Sequence, residues 1–66
     1  MIPAAVEQRL RAHVASVLAS ARVPPTERDD LAEELYGHLV EDWRSLASEG
    51  SDPLSAARRA IQGFGR

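Results

Sequence analysis

The stretch 26-TERDDLAEELYGHLVEDWRSLASEG-50 decides the fold of this 66-residue chain. Pro24-Pro25 stand before it and Gly50 ends it. Proline disfavours helix in the preceding residue, and glycine is common just past a helix end. Thr26 and Asp29 have the spacing of a capping box, with Asp in place of the usual Glu. The stretch therefore predicts one long helix over about 26–49.

The apolar side chains of this helix cover about half of its circumference when residues are spaced by about 100°. An ordinary surface helix needs an apolar stripe of only about 100°, so this one is wide enough to contact two partner helices. Asp42 interrupts the apolar half. The apolar half consists of Leu31, Ala32, Leu35, Tyr36, Leu39, Val40, Trp43, Leu46 and Ala47. The polar half consists of Asp30, Glu33, Glu34, Gly37, His38, Glu41, Arg44 and Ser45.

Two further amphipathic segments flank the long helix. Pro3 suits the first turn of a helix over about 3–22, and Asp52-Pro53 suits the N-cap and first position of a helix over about 53–64, with its stop at Gly65. Short links between the segments predict an all-α three-helix bundle forming one domain over 1–66. The expected inward faces consist of Ile2, Val6, Leu10, His13, Val14, Val17, Leu18 and Ala21 in the first helix, and Leu54, Ala57, Ala60, Ile61 and Phe64 in the third.

Alanines gather on the opposite side of the first helix, and two interpretations of them remain open. Alanine is the best helix former, so this side can simply face solvent. Alternatively, its small side chains let a second copy approach closely, and a homodimer adds buried area to a core that is small for independent stability. The alanines are Ala4, Ala5, Ala12, Ala15 and Ala19.

Composition excludes several classes of function. The chain has no Cys, so neither a disulfide nor a thiolate metal site can form. The net charge is −2 and acids cluster between Glu27 and Asp42, so the basic footprint of a nucleic-acid-binding domain is missing. No signal peptide and no apolar run of about 20 residues is present. We therefore expect a cytoplasmic protein with no nucleic-acid partner and no direct insertion into a membrane.

One group of side chains resembles a metal site, because carboxylates lie one helical turn from His38 on both sides. The group consists of Glu34, His38, Glu41 and Asp42. One helix would supply every metal ligand, whereas zinc helices of the HExxH type carry two His. A solvated acidic face is the preferred interpretation, without metal or cofactor. His13 lies on an apolar arc, which predicts a hydrogen-bonded core or interface histidine and not a metal ligand. No Cys nucleophile, Gly-rich phosphate loop or Ser with an evident base is present, so we expect no enzyme activity.

Two sets of residues are candidates for binding a protein partner. Tyr36, Val40 and Trp43 share one border of the apolar half. Either the first helix covers them, or they form an exposed patch, since Trp and Tyr are common interface anchors. Glu34 and Glu41 represent the acidic face, which suits a basic partner.

The chain carries Glu27-Arg28-Asp29-Asp30-Leu31, Glu34-Leu35, His38-Leu39, Glu41-Asp42, Glu49-Gly50, Ala56, Arg58-Arg59-Ala60 and Phe64-Gly65 in that order. In this it resembles the small helical HAAS and permease-prefix domains of bacteria. Ser51 and Ala57 depart from the resemblance, because the family usually has larger side chains at both positions. The smaller residues predict thinner packing between the second and third helices. The resemblance implies a cytoplasmic module at the N-terminus of a membrane protein such as an ABC-type permease, often encoded beside PadR-type transcription regulators.

These observations predict a non-enzymatic protein-interaction module. We expect it to be the cytosolic N-terminal domain of a membrane transporter or sensor, tethered to the inner membrane through residues beyond this chain, or an adaptor for a transcription regulator. The alternative is a DNA-associated accessory domain, in which Gly50–Pro53 is the turn of a helix-turn-helix and Arg58 and Arg59 lie on a recognition helix. Two arginines beside an acidic helix are weak support for it, because the acids repel phosphate.

Overall fold

The computed structural model describes residues 1–64, and these residues form three α-helices. Helix α1 spans Ala4–Ala21, α2 spans Pro25–Ser48 and α3 spans Pro53–Gly63. Each helix contacts both of the others. The predicted all-α three-helix bundle with a long central helix is confirmed, and each predicted helix end lies within one residue of the observed end.

The start of α2 differs from the expected capping box. Pro24 is extended (φ −60°, ψ 144°), and its carbonyl accepts a hydrogen bond from the amide of Glu27 at 3.0 Å. Pro25 takes the first helical position, where a missing N–H is harmless and the fixed φ of proline suits the helix. Thr26 is therefore already inside the first turn. The predicted capping box of Thr26 and Asp29 is wrong, and no described side chain caps this end.

The link between α2 and α3 follows the sequence prediction closely. Gly50 has a φ of 99°, a conformation that glycine adopts without the steric penalty of a side chain. Asp52 caps α3, because its carboxylate accepts a hydrogen bond from the amide of Ser55 at 2.9 Å. Pro53 occupies the first helical position.

The C-terminal end of α3 lies one residue before the predicted end. Phe64 has an extended backbone (φ −79°, ψ 133°), so the helix stops at Gly63. Glycine has a low helix propensity, and little therefore holds the helix beyond this residue. The predicted stop at Gly65 lies outside the described residues.

The Asp52 cap makes part of the stability depend on pH. Hydrogen bonds from the side chain and then the amide of Ser55 hold the pKa of the Asp52 carboxyl below its ordinary value of 3.8. A carboxyl whose pKa is lower in the folded state than in the unfolded state stabilises the fold at pH values above its unfolded-state pKa. This stabilisation is lost as the pH falls through the folded-state pKa. We expect the difference in unfolding free energy between the wild type and Asp52→Ala to be largest near neutral pH and to narrow as the pH falls below 3.8. Asp52→Asn, which caps without titrating, is the control. A difference that stays constant with pH would contradict this assignment.

The core is a single apolar cluster at the centre of the three helices. Helix α1 supplies one buried residue per turn, Val6, Leu10, Val14 and Leu18. Helix α2 supplies Leu39 and Trp43, which are buried, while the rest of its apolar half is half-buried and its polar half is exposed. The predicted division of α2 into two faces is therefore confirmed.

The predicted inward face of α3 is wrong at one position. Ala57 and Ala60 are buried and Ile61 and Phe64 are half-buried, as expected, whereas Leu54 is 40% exposed and Ala56 is buried in addition. Small side chains let a helix approach its neighbours closely, and the Trp43 indole of α2 lies against the start of α3. The indole N–H donates a hydrogen bond to the Pro53 carbonyl at 2.9 Å. The prediction for Leu54 is wrong because the neighbouring helices, and not the largest side chain, set the rotation of α3.

Candidate interaction surface

The three side chains predicted to share one border of α2 lie in two different environments. Trp43 is only 8% exposed and belongs to the core, with its polar N–H satisfied by Pro53. Tyr36 and Val40 are half-buried and keep part of their surface in solvent. Of the two alternatives, burial favours the core for Trp43, because a partner cannot reach a buried indole. Tyr36 and Val40 remain accessible to a partner.

Arg11 of α1 covers the ring of Tyr36. Its guanidinium carbon lies 4.1 Å from the ring centroid. Its Nε lies 3.5 Å from Oε2 of Glu7, and its Nη1 lies 4.0 Å from Oε1 of Glu33 on α2. A cation–π contact at an exposed site contributes about 0.5–1 kcal/mol, and exposed ion pairs contribute less. Arg11 therefore connects α1 to the acidic side of α2, a role that our sequence analysis missed.

A shallow groove runs between α1 and α2 beside Arg11. Its volume is about 200 Å³, below the range of roughly 300–1,000 Å³ typical of small-molecule pockets. At its rim the Arg28 guanidinium donates a hydrogen bond to the Val23 carbonyl at 3.1 Å. The groove is too small to hold a drug-sized substrate. Its lining consists of Arg11, Val14, Ala15, Leu18, Arg28, Asp29, Ala32 and Tyr36.

The acidic side chains of α2 lie on the outside of the bundle. Glu34, His38, Glu41 and Asp42 are all exposed. In residues 1–64 no group of three or more Asp, Glu or His side chains is arranged to hold a metal ion. We use the term acidic face for the exposed residues Asp30, Glu33, Glu34, His38 and Glu41.

Two further groups of predicted residues have defined positions. His13 is half-buried and meets the ring of Phe64 edge-on, with centroids 5.8 Å apart and an interplanar angle of 82°. This contact agrees with a packing role for His13. Arg58 and Arg59 are exposed on α3, and the Arg59 guanidinium donates a hydrogen bond to the Ser51 hydroxyl at 3.2 Å. The alanines on the outer side of α1, namely Ala4, Ala5, Ala12, Ala15 and Ala19, are exposed in the single chain.

The protein is an all-α bundle. Its candidate surface for binding a protein partner consists of the acidic face and the neighbouring side chains of Tyr36 and Val40. Comparison with family models, curated proteins and solved structures finds no match for this chain. Across residues 1–64, none of the helices combines the length and the apolar character needed to cross a membrane.

Proposed function

We propose that this chain is a non-enzymatic protein-interaction module that binds a partner through the acidic face of α2. Its resemblance to HAAS and permease-prefix domains supports a regulatory role, as the cytosolic N-terminal domain of a bacterial transporter or sensor or as an adaptor for a transcription regulator. The exposed alanine side of α1 supports self-association as an additional mode of contact.

The observation that carries this proposal is the division between a wholly apolar core and a charged exterior. Within the described residues, the buried side chains are all apolar, and no charged or polar residue joins them. Catalytic acids and bases usually sit in concave sites where partial burial tunes their pKa values. A chain whose buried side chains are all apolar is better suited to binding than to turnover.

The acidic face retains charge that can act on a partner. Arg11 reaches Glu33 only at 4.0 Å, at the edge of ion-pair range, and its closer carboxylate is Glu7 on α1. Glu34 and Glu41 are seven positions apart, so they lie on the same side of α2, about two turns from each other. Complementary charge steers association and selects partners, so a protein with a basic surface is the expected partner.

Removing both charges tests this assignment. We expect the double variant Glu34→Gln and Glu41→Gln to bind a partner captured by the wild-type chain about tenfold more weakly, because two attractive charge interactions are lost. Wild-type binding should also weaken as salt rises, since screening shortens the range of these interactions. The measurement is a titration of purified partner at low and physiological ionic strength.

The matched control is the double variant Asp42→Asn and Glu49→Gln. It removes the same charge from exposed positions outside the acidic face, and we expect it to bind like the wild type. Equal affinity of the wild type and the Glu34/Glu41 variant at every salt concentration would refute the acidic face as the binding surface.

A further inference from the structure

Helix α3 approaches both other helices closely, but it buries smaller side chains than α1 and α2 do. Among the described residues, the buried side chains of α3 are Ala56, Ala57 and Ala60, whereas α1 and α2 bury valines, leucines and a tryptophan. Burial free energy follows apolar area, and an alanine removes only one methyl group from water. Leu54, the large aliphatic residue of the first turn of α3, is 40% exposed.

The polar contacts of α3 are concentrated at its first turn. The Trp43 indole bonds to the Pro53 carbonyl, and Asp52 caps the helix. The Arg59–Ser51 hydrogen bond joins α3 to its own link and not to another helix. At the other end, Phe64 is half-buried against His13.

Some contacts between α1 and α2 involve no residue of α3. The groove that contains the Arg11–Tyr36 contact is lined by residues of α1 and α2, including Val14, Leu18 and Ala32. Helices α1 and α2 have 18 and 24 residues, whereas α3 has 11. Isolated helices shorter than about 12–15 residues are marginal in water, so α3 loses its helical order once it leaves the bundle.

We propose that α3 opens as a separate unit, hinged at the link Glu49–Asp52, while α1 and α2 stay packed as a helical hairpin. The positive φ of Gly50 marks the link as the place where the chain direction changes. Opening breaks the Trp43–Pro53 hydrogen bond and brings the Trp43 side of the core into contact with solvent. This is a conformational device of the bundle, and it does not rest on the proposed function.

Native-state hydrogen exchange of the full chain tests the proposal. We expect the amides of Ala57–Gln62 to exchange at least about tenfold faster than the most protected amides near Val14 and Leu39. Their exchange should also depend less on urea, because a partial opening exposes less surface than global unfolding does. Equal protection of all three helices would overturn the proposal.

A pair of glycine and alanine substitutions distinguishes local opening from global unfolding. Gly37 is an exposed residue of α2, and a Cβ there meets nothing within 4 Å, so Gly37→Ala stabilises the α1–α2 hairpin alone. Ala12 is exposed on α1, and Ala12→Gly weakens the hairpin by a similar amount. Both substituted positions stay helical when α3 opens, so neither substitution changes the cost of that opening.

The expected result is a shift confined to α1 and α2. Their protected amides should exchange about two- to fivefold more slowly in Gly37→Ala and about two- to fivefold faster in Ala12→Gly. The α3 amides should keep the wild-type rate in both variants. If the exchange rates of the α3 amides instead change by the same factor as those of α1 and α2 in both variants, α3 unfolds only with the whole chain. The proposal is then wrong.

Discussion

Trp43→Ala is expected to remove a large part of the free energy of unfolding. Truncating a buried Trp to Ala typically costs about 3–5 kcal/mol. A domain of this size has a total stability of roughly 3–10 kcal/mol. The Trp43 side chain is 8% exposed, and its indole N–H satisfies the Pro53 carbonyl, so the substitution removes both a large buried area and the bond that anchors the start of α3.

Far-UV circular dichroism at increasing urea concentrations measures this effect without relying on tryptophan fluorescence. Trp43→Phe keeps a six-membered aromatic ring but removes the donor and the second ring of the indole, and we expect a smaller cost than for Trp43→Ala, about 1–3 kcal/mol. Tyr36→Ala, at a half-buried position, should cost less than Trp43→Ala. Wild-type stability in Trp43→Ala would contradict the placement of the indole in the core.

This result would also change how partner binding by Trp43 variants is interpreted. From the sequence, Trp43 was a candidate anchor for a partner, because Trp on the border of an apolar stripe is as typical of an interface as of a core. Its burial means that a loss of binding in Trp43→Ala would follow from unfolding. Variants at Glu34 and Glu41 test binding more directly, because these side chains are exposed and their removal leaves the core intact.

The fold could be predicted largely because α2 has an unambiguous pattern. The nine residues of its apolar half determine which side of α2 faces the other helices. All nine are buried or half-buried. The link before α3 was predictable for a similar reason, since Gly50, Asp52 and Pro53 each have a strong local preference. At these positions local chemistry and tertiary packing favour the same structure.

Other features depend on contacts that the order of residues does not encode. A helical wheel shows where Arg11 points but not that Tyr36 of another helix lies beneath it at 4.1 Å. The start of α2 illustrates a competition between local signals, because Pro25 at the first helical position displaced the expected cap at Thr26. Whether Trp43 lies in the core or at an interface likewise depends on how closely α3 approaches α2.

A matched pair of leucine truncations tests the placement of Leu54, where the sequence prediction for α3 was wrong. Leu39 is 0% exposed, and Leu39→Ala should cost about 2–5 kcal/mol because it leaves a cavity in the core. Leu54 is 40% exposed in the first turn of α3, and alanine has the higher helix propensity. Leu54→Ala should therefore cost less than about 1 kcal/mol.

Both substitutions remove the same atoms, so the difference between them reports burial alone. The urea midpoint should fall strongly for Leu39→Ala and slightly for Leu54→Ala, with a similar slope, because the surface exposed on unfolding changes little. Comparable losses in the two variants would mean that Leu54 faces inward, as its place on the helical wheel suggested. In that case Ala56 would face solvent, whereas Ala57 and Ala60, which share the predicted face with Leu54, would still face inward.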